Sequence, residues 1–364
     1  MIVVVGGSGF YGRYLVEDLL HHTDAPVVVV ARRPGRSSGR VRTVAADHQD
    51  VAALTRLVAD AAIVVHCAGP FQAMPVHPLG PLRAALSAGV PYVDISEDRA
   101  FRHAALKLAE RATAPVLTGA SVVPGMQALA VADLTRGWDD VVAVRCAAAP
   151  DTRRHRGDAM FRAMLHGAGL GFVAPRDGAP TLVRGWSEPE WVRFPPPLGR
   201  RLVYQVYEMA DLDVLVEQCG AATVSFKAGS EFAWLNRILA AAAAARARFG
   251  RPRHPERFTS LVRGFSWLVG RAGDEAGGFM VEVSGQLNGG RITRAVGMTA
   301  TRTGGRIPAL LAAIAVEEVL AGRLTRPGAT PLSGWLPAER MWAGLRARDV
   351  TLWQRDDAGP WRLR

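Results

Sequence analysis

The sequence has little lysine, little cysteine and no long uncharged apolar run. Its 364 residues include only two lysines, so the formal net charge of +11 comes from arginine spread along the chain. A dispersed charge of this kind argues against a dedicated nucleic-acid-binding stripe. Three cysteines, far apart in the chain, form neither a disulfide framework nor a metal-like pair. No apolar run of about 18 residues predicts a membrane-spanning helix.

The remaining bulk properties predict a soluble intracellular protein of two domains. The length exceeds that of one average domain, and 49% hydrophobic residues suffice for a sizeable core. The chain enters an apolar run directly at Ile2, without a signal peptide. We therefore expect a cytoplasmic protein with a small-molecule substrate, without a metal and without a nucleic-acid partner. The net positive charge favours encounter with phosphates and carboxylates.

The first 122 residues alternate strand-like and helix-like segments. The strand segments are apolar at consecutive positions, which indicates a sheet covered on both faces. We predict an α/β fold: a doubly wound parallel Rossmann sheet with a second α+β domain. The predicted strands are Ile2 to Val5, Val27 to Val30, Val41 to Ala45, Ile63 to His66, Tyr92 to Ile95 and Val116 to Thr118.

After Pro124 the spacing of the apolar segments becomes irregular. Asn288-Gly289-Gly290 lies between two apolar segments, Phe279 to Ser284 and Ile292 to Ala300, which predicts a β-hairpin. Pro308 and Gly322 mark the expected start and end of an apolar helix. We expect a dinucleotide-binding domain over 1–122, completed by about 306–364, and an α+β substrate domain over 123–305.

The first strand runs into a glycine motif. Its members after the strand are Gly7, Ser8, Gly9, Phe10, Tyr11 and Gly12. In such a motif the first glycine allows a tight turn, the second admits the pyrophosphate and the third lets helix and strand pack closely. The helix N-terminus then favours the anion. We expect Gly7, Ser8, Gly9, Phe10 and Gly12 to bind a dinucleotide.

The end of the second strand indicates which dinucleotide. An NAD-selective site has an acidic residue there, whereas this chain has Arg32 and Arg33. Arginine suits the 2′-phosphate, which predicts NADP(H); the alternative is a solvated loop in an arginine-rich protein. Asp47, just after the third strand, is a candidate adenine contact or, equally, an N-terminal residue of the helix that begins near Val51.

Further motifs follow at family-like spacing. They are Ala68-Gly69-Pro70-Phe71, the segment Pro91 to Ser96 with Tyr92-Val93-Asp94 inside it, and Gly119 followed by Pro124-Gly125. With the glycine motif, this series resembles the saccharopine dehydrogenase-like oxidoreductases, the saccharopine reductase branch in particular. The resemblance covers the first third well and continues loosely through 278–285 and 307–322.

The resemblance implies hydride transfer in a cleft between two domains, with contacts for a homodimer on the second. It implies that Ala68, Gly69, Pro70 and Phe71 lie beside the nicotinamide half of the cofactor. Two departures stand out. Glu97-Asp98 replaces the family's usual Gly-Glu pair, and Pro81 should start its helix later than usual.

No catalytic residue stands out from the sequence. His77 could relay a proton, or be a surface histidine near a helix start. Asp94 could position substrate or water, or cap the next helix. His66 and Cys67 are expected in the core. Lys227 is either a surface charge at a strand end, which we favour, or a substrate contact.

Three other segments have competing interpretations. Arg153, Arg154 and Arg156 form either a substrate-carboxylate site or a solvated loop. Gly167, Gly169 and Gly171 form either a lid or a site of close helix packing. Phe258 to Val269, with Arg263 inside it, is expected to be a buried aromatic helix rather than a membrane contact.

These observations predict an NADP(H)-dependent oxidoreductase acting on a small or lipid-like imine, carbonyl or enoyl substrate. A short-chain dehydrogenase would need a tyrosine with a lysine four residues later, and none of the five tyrosines has one. A non-catalytic NADP(H)-binding sensor or assembly protein would share the same cofactor motifs and is the alternative.

Overall fold

The computed structural model describes residues 1–33, 35–73, 78–153, 164–250, 270–302, 304–329 and 334–364. The chain divides into two compact units, each assembled from two separate stretches. The first is Met1–Leu129 with Arg306–Gly344, and the second is Ala130–Gly305 with Leu345–Arg364.

Strands are numbered in chain order. They are β1 (Ile2–Val5), β2 (Val27–Ala31), β3 (Val41–Ala45), β4 (Ile63–His66), β5 (Tyr92–Asp94), β6 (Pro115–Leu117), β7 (Asp140–Ala149), β8 (Gly171–Arg176), β9 (Ala179–Arg184), β10 (Glu190–Arg193), β11 (Arg200–Gln205), β12 (Thr223–Ala228), β13 (Gly277–Leu287), β14 (Gly290–Ala300), β15 (Gly328–Ala329), β16 (Thr351–Asp356) and β17 (Arg362–Leu363).

Helices are numbered in the same way. They are α1 (Phe10–His22), α2 (Val51–Val58), α3 (Gly80–Ala88), α4 (Arg99–Leu108), α5 (Gln127–Leu134), α6 (Asp211–Cys219), α7 (Ala233–Phe249), α8 (Ile307–Leu320) and α9 (Ala338–Arg346). Short 3-10 turns occupy Phe71–Ala73 and Gly304–Arg306, and a π-helical turn occupies Val122–Met126.

The first unit contains a parallel sheet of seven strands, in the order β15-β6-β5-β4-β1-β2-β3. All four residues of β1 and all four of β4 are buried, because helices cover both faces. In α8, ten of fourteen residues are buried against α1 and the central strands. The predicted doubly wound Rossmann architecture is therefore confirmed.

The second unit contains a mixed sheet of eight strands, in the order β10-β11-β12-β7-β13-β14-β16-β17. Only the β12–β7 pair is parallel. Phe194, Val203 and Met280 belong to its buried core. The separate hairpin β8–β9 is tied to this sheet by Arg176, whose guanidinium donates to the Val224 carbonyl and the Gln205 amide oxygen.

Residues 345–364 belong to a different unit from the one that the sequence predicted. They were expected to complete the first domain, but β16 pairs with β14 through six residue pairs and so extends the second sheet. The expected role of residues 123–305 as a substrate domain stays a prediction. The helix predicted from Pro308 begins at Ile307, and Pro81 lies in the first turn of α3, as expected.

Gly167 and Gly169 are sites of close packing in the described part of the second unit. A Cβ on Gly167 would lie 2.1 Å from the Tyr207 Cβ, and one on Gly169 would lie 2.3 Å from the Ala243 carbonyl oxygen on α7. This favours the packing interpretation over the lid. The aromatic segment Phe258 to Val269, Arg263 included, lies outside the described residues. Within the described ranges no helix is long and apolar enough to cross a membrane.

The hairpin β13–β14 turns at Asn288-Gly289, and both residues have positive φ, 50° and 74°. This is the type I′ geometry that Asn-Gly favours.

Replacing Gly289 with Ala should lower the free energy of unfolding by about 1 kcal/mol, because a Cβ is strained at positive φ. Open space surrounds the position, so strain is the only cost. Gly290→Ala is the matched control, since its φ is not positive. Urea unfolding checks both variants, and equal midpoints for the two would contradict the interpretation.

Candidate functional site

The strand order places a topological switch point at β1. From β1 the chain adds β2 and β3 on one side, then crosses to β4 on the other side. In such sheets ligands bind outside the carboxyl ends of the strands at the switch point. The glycine motif follows β1 and the Ala68-Gly69 loop follows β4, so both predicted cofactor segments lie there.

The two loops approach one another so closely that only glycine fits at position 6. Gly6 has φ of +83°, and a Cβ on it would lie 2.6 Å from the Ala68 backbone nitrogen. Sequence reasoning assigned the tight turn to Gly7, but Gly7 does not have positive φ. Gly6 therefore makes the turn. The additional glycine directly before the motif was the signal that could have identified Gly6.

Gly12 allows α1 to pack directly on the turn. A Cβ there would lie 2.2 Å from the Gly6 carbonyl oxygen. Ser8 and Gly9 are exposed, and the N-cap residue, Gly9, has no side chain with which to cap the helix. The first turn of a helix leaves backbone N–H groups without intrahelical partners, so this end of α1 suits a phosphate. Phe10 is half-buried and packs edge-on to Tyr14.

Arg32 and Arg33 follow β2 directly, and both side chains are exposed. The Arg32 charge also affects the pKa of His48, which lies in the loop after β3. Burial lowers the pKa of the His48 imidazole, Asp47 opposes this and the Arg32 charge adds to it. The Arg32 guanidinium is thus close to the β3 loop, at the end of the sheet where adenosine is expected.

Asp47 is exposed and does not cap α2. Its Oδ1 accepts from the Gln49 backbone N–H at 2.9 Å, whereas Asp50 caps the helix by accepting from Ala53 N–H at 3.0 Å. Asp47 thus lies three residues before the N-cap of α2, which agrees with the alternative that it is a residue at the N-terminal approach to that helix. The adenine contact stays a prediction.

The loop after β4 rests on a buried aromatic cluster. Phe71 is 6% exposed, and its ring centroid is 4.8 Å from Phe101 and 5.0 Å from His66. The Phe71 ring thus points into the core, so backbone rather than this ring is available to a ligand. Ala68, Gly69 and Pro70 are half-buried.

His66 and Cys67 are core residues, as expected. The His66 Nδ1 atom is 3.0 Å from the Tyr92 hydroxyl. Burial lowers the pKa of the His66 imidazole to about 3, so the ring is neutral, and burial raises the pKa of the Cys67 thiol.

The predicted cofactor segments therefore follow four adjacent strands, β4, β1, β2 and β3. At about 4.8 Å per strand they extend over roughly 15 Å of the sheet edge. The glycine cradle, the uncapped helix and the flanking arginines together fit an extended dinucleotide with its pyrophosphate at α1.

Asp94 connects the ends of β5 and β6. Its carboxyl is fully buried, and Oδ1 accepts from the backbone N–H groups of Ser96 and Gly119, both at 2.9 Å. The cap of α4 is instead Asp98, which accepts from Phe101 N–H at 2.6 Å. The capping alternative for Asp94 is therefore wrong, and its contacts favour a structural role over contact with substrate.

Burial raises the pKa of the Asp94 carboxyl to about 7, and the hydrogen bonds from Gly119 and Ser96 oppose the shift.

Sequence reasoning missed two polar features near these loops. Gln72 donates to Glu97 at 2.9 Å, which links the loops after β4 and β5. Gln127 is completely buried at the start of α5, and neither amide atom has a hydrogen-bond partner among the described residues. A lone polar residue in the apolar run Met126 to Val131 was the signal for Gln127. His77, the other catalytic candidate, lies outside the described residues.

The charged residues of the second unit form local ion pairs. Lys227 donates to Glu190 at 2.7 Å and is largely buried, so it is not the surface charge that was expected. Arg153 is 3.9 Å from Glu275, while Arg154 and Arg156 lie outside the described residues. Arg201, 4% exposed, pairs with Glu231 at 3.1 Å, and Glu231 also accepts from the Thr152 hydroxyl. No group of three or more potential metal ligands occurs in the described ranges.

Comparisons with known proteins agree with this architecture. Residues 2–118 match the family described as "Saccharopine dehydrogenase NADP binding domain". The chain is similar to saccharopine dehydrogenase (L-Glu forming) from Saccharomyces cerevisiae, with 14% identity, a TM-score of 0.67 and coverage of 98% of this chain and 99% of that one. Homospermidine synthase from Legionella pneumophila, solved in complex with NAD, gives 11% identity, a TM-score of 0.67 and coverage of 98% and 91%. No curated protein sequence matches.

The first unit thus has the fold of an NAD(P)-binding Rossmann domain. Residues 2–118 thus match the saccharopine dehydrogenase NADP-binding domain family that the motifs resemble, and the two solved structures are similar to the chain in fold. The expected cytoplasmic location and homodimer stay predictions.

Asp94 should make stability depend on pH. Its folded-state pKa lies above the ordinary 3.8, so the native protein holds a proton that the unfolded chain releases. The contribution of Asp94 to stability therefore falls as pH rises from about 4 to about 7. Relative to Asp94→Asn, which imitates the protonated form, the wild-type free energy of unfolding should fall by up to about 1.4 kcal/mol per pH unit.

Urea titrations of both proteins at pH 5, 6, 7 and 8 test this expectation. Circular dichroism at each pH verifies that the two native states match. A constant difference between the two proteins across the series would refute a raised pKa at Asp94.

Proposed function

We propose that the chain is an NADP(H)-dependent oxidoreductase that transfers hydride to or from a small or lipid-like imine, carbonyl or enoyl substrate. The observation that carries the proposal is the row of loops at the switch point, with a glycine cradle at β1 and arginine in place of an acid at the end of β2. The resemblance to the NADP-binding domain family supports it.

The adenosine end determines the cofactor preference in this proposal. An acidic side chain after β2 would hold the ribose 2′-hydroxyl and repel a 2′-phosphate. Arg32 and Arg33 are exposed there, and the segment between Asp24 and Asp47 contains no Asp or Glu. A guanidinium matches the phosphate in shape and charge, so the arginines favour NADP(H).

The nicotinamide end is assigned to the loop Ala68-Gly69-Pro70. The bound cofactor supplies the hydride equivalent. The protein's task is to hold the ring in place and to exclude water. The buried cluster of His66, Phe71 and Phe101 supports the loop on its core side. Because its imidazole is neutral and its other rings are apolar, this cluster excludes water from the core side of the loop.

Substrate binding is assigned to the second unit. Its ion-paired group of Arg201, Glu231 and Thr152 lies where β7 and β12 end and β11 begins. The Glu231 carboxylate is the more exposed member of this group, and it is oriented by Arg201 and Thr152, so it provides an acceptor to a polar substrate.

The NADP(H) preference is tested by dissociation constants for NADPH and NADH. The wild-type protein should bind NADPH about ten- to a hundredfold more tightly, the value of one charged hydrogen bond. Arg32→Ala with Arg33→Ala should abolish most of this ratio and leave NADH affinity in place. The control pair, Arg42→Ala with Arg56→Ala, removes the same charge from exposed positions on β3 and α2. Equal affinities for the two cofactors in the wild-type protein would refute the preference.

Catalysis is tested by NADPH oxidation across a panel of imines, ketones, keto acids and enoyl compounds. We expect turnover with one class, lost in Gly12→Ala, whose Cβ would lie 2.2 Å from the Gly6 carbonyl. Tight NADPH binding without turnover on any class would instead favour a non-catalytic sensor.

A further inference from the structure

The connection between β2 and β3 is unusually short. Parallel neighbours normally need a crossover of a dozen or more residues, usually with a helix. Here residues 32–40 make the connection, and its described part contains no helix. The connection and the start of β3 contain five arginines and no acid. These arginines are Arg32, Arg33, Arg36, Arg40 and Arg42.

Thr43, in the middle of β3, holds this loop against the sheet through two hydrogen bonds. Its hydroxyl donates to the Gly35 carbonyl at 2.6 Å, and its backbone N–H donates to the Ser37 hydroxyl at 3.0 Å. The backbones of Ser38 and Val41 exchange two hydrogen bonds of 2.9 Å around the following turn. One strand residue thus fixes two points of the loop just after the paired arginines.

Arg40 fixes the other end of the loop. Its guanidinium donates to the carbonyls of Thr23 and Leu20 at the end of α1, at 2.5 and 2.6 Å. The Arg40 guanidinium is therefore bound to the carboxyl end of α1. Arg32 and Arg33 lie in the short span between the end of β2 and the pinned Gly35, so the range of positions open to them depends on Thr43.

We propose that Thr43 is a positioning residue for cofactor selectivity: its hydroxyl holds the Gly35 carbonyl so that Arg32 and Arg33 are already placed for the 2′-phosphate. This inference rests on the proposed NADP(H) preference. A free arginine loop must lose conformational freedom on binding, whereas a pinned loop has already lost it. The effect is confined to NADPH, because NADH has no group for these arginines to hold.

Thr43→Val tests the role of the hydroxyl alone. Valine keeps the β-branched shape and suits a strand, and Gly35 is exposed, so its released carbonyl binds water. We expect NADPH affinity to fall about three- to tenfold with NADH affinity unchanged. Thr43→Ser keeps the hydroxyl and should restore the wild-type ratio. Ser37→Ala should weaken NADPH binding in the same direction.

Trypsin provides a readout that does not depend on affinity. Arg33 precedes a proline and resists cleavage, whereas the Arg36–Ser37 bond lies in the segment that Thr43 holds at Gly35 and Ser37, so cleavage at this bond reports on the loop. Thr43→Val should be cut there faster than the wild type and Thr43→Ser at the wild-type rate, with circular dichroism unchanged. NADPH should protect this bond in the wild type more than NADH does.

The outcomes separate this inference from the proposed function. A wild-type preference for NADPH that survives in Thr43→Val overturns the positioning role and leaves the proposed function intact. An equal loss for NADPH and NADH overturns it in favour of a general structural role. A wild-type protein without preference, unaffected by removal of both arginines, overturns the NADP(H) selectivity and the positioning role together.

Discussion

The site depends on one close approach between two backbones. The turn after β1 passes so near the loop after β4 that the Gly6 position has no room for a side chain, and α1 then packs on the same turn through Gly12. These contacts determine where the helix begins, and with it the direction of the helix dipole. The phosphate cradle, the order of the neighbouring loops and the inferred direction of the cofactor all follow from this steric constraint.

The parts of the first unit divide into a hydrogen-bonded frame and the exposed residues of the predicted cofactor segments. Asp94 and the aromatic residues below Ala68 are buried, and they connect the strand ends to one another. Ser8, Gly9, Arg32 and Arg33 are exposed on that frame. Such a division lets the exposed groups change with the ligand while the frame stays constant.

The sequence predicted the first unit well, because buried parallel strands and the glycine motif are local patterns. It predicted the β13–β14 hairpin for the same reason, since Asn-Gly specifies its own turn. It failed where distant segments meet. The pairing of β16 with β14 joins segments about fifty residues apart, and no local pattern encodes it. The capping alternative for Asp94 lay four residues before the actual cap of α4, Asp98, because several acids compete for that helix start.

At the candidate site, position could be predicted but contact could not. The motif order placed the four predicted cofactor segments directly after four adjacent strands. Three side-chain arrangements depend on packing that no spacing rule describes. The Phe71 ring points inward, Lys227 pairs with Glu190, and Gln127 is buried without a partner among the described residues.

The interleaving of the two units has a consequence for synthesis on the ribosome. Helix α8 covers α1 and the central strands of the first sheet, yet it is translated only after the whole of the second unit's main stretch. Until then the nascent first 129 residues lack the helix that buries one apolar face of their sheet. At ordinary translation rates this interval lasts on the order of 10 to 40 seconds. The protein therefore completes its amino-terminal unit late, and a chaperone has a defined apolar surface to cover during that time.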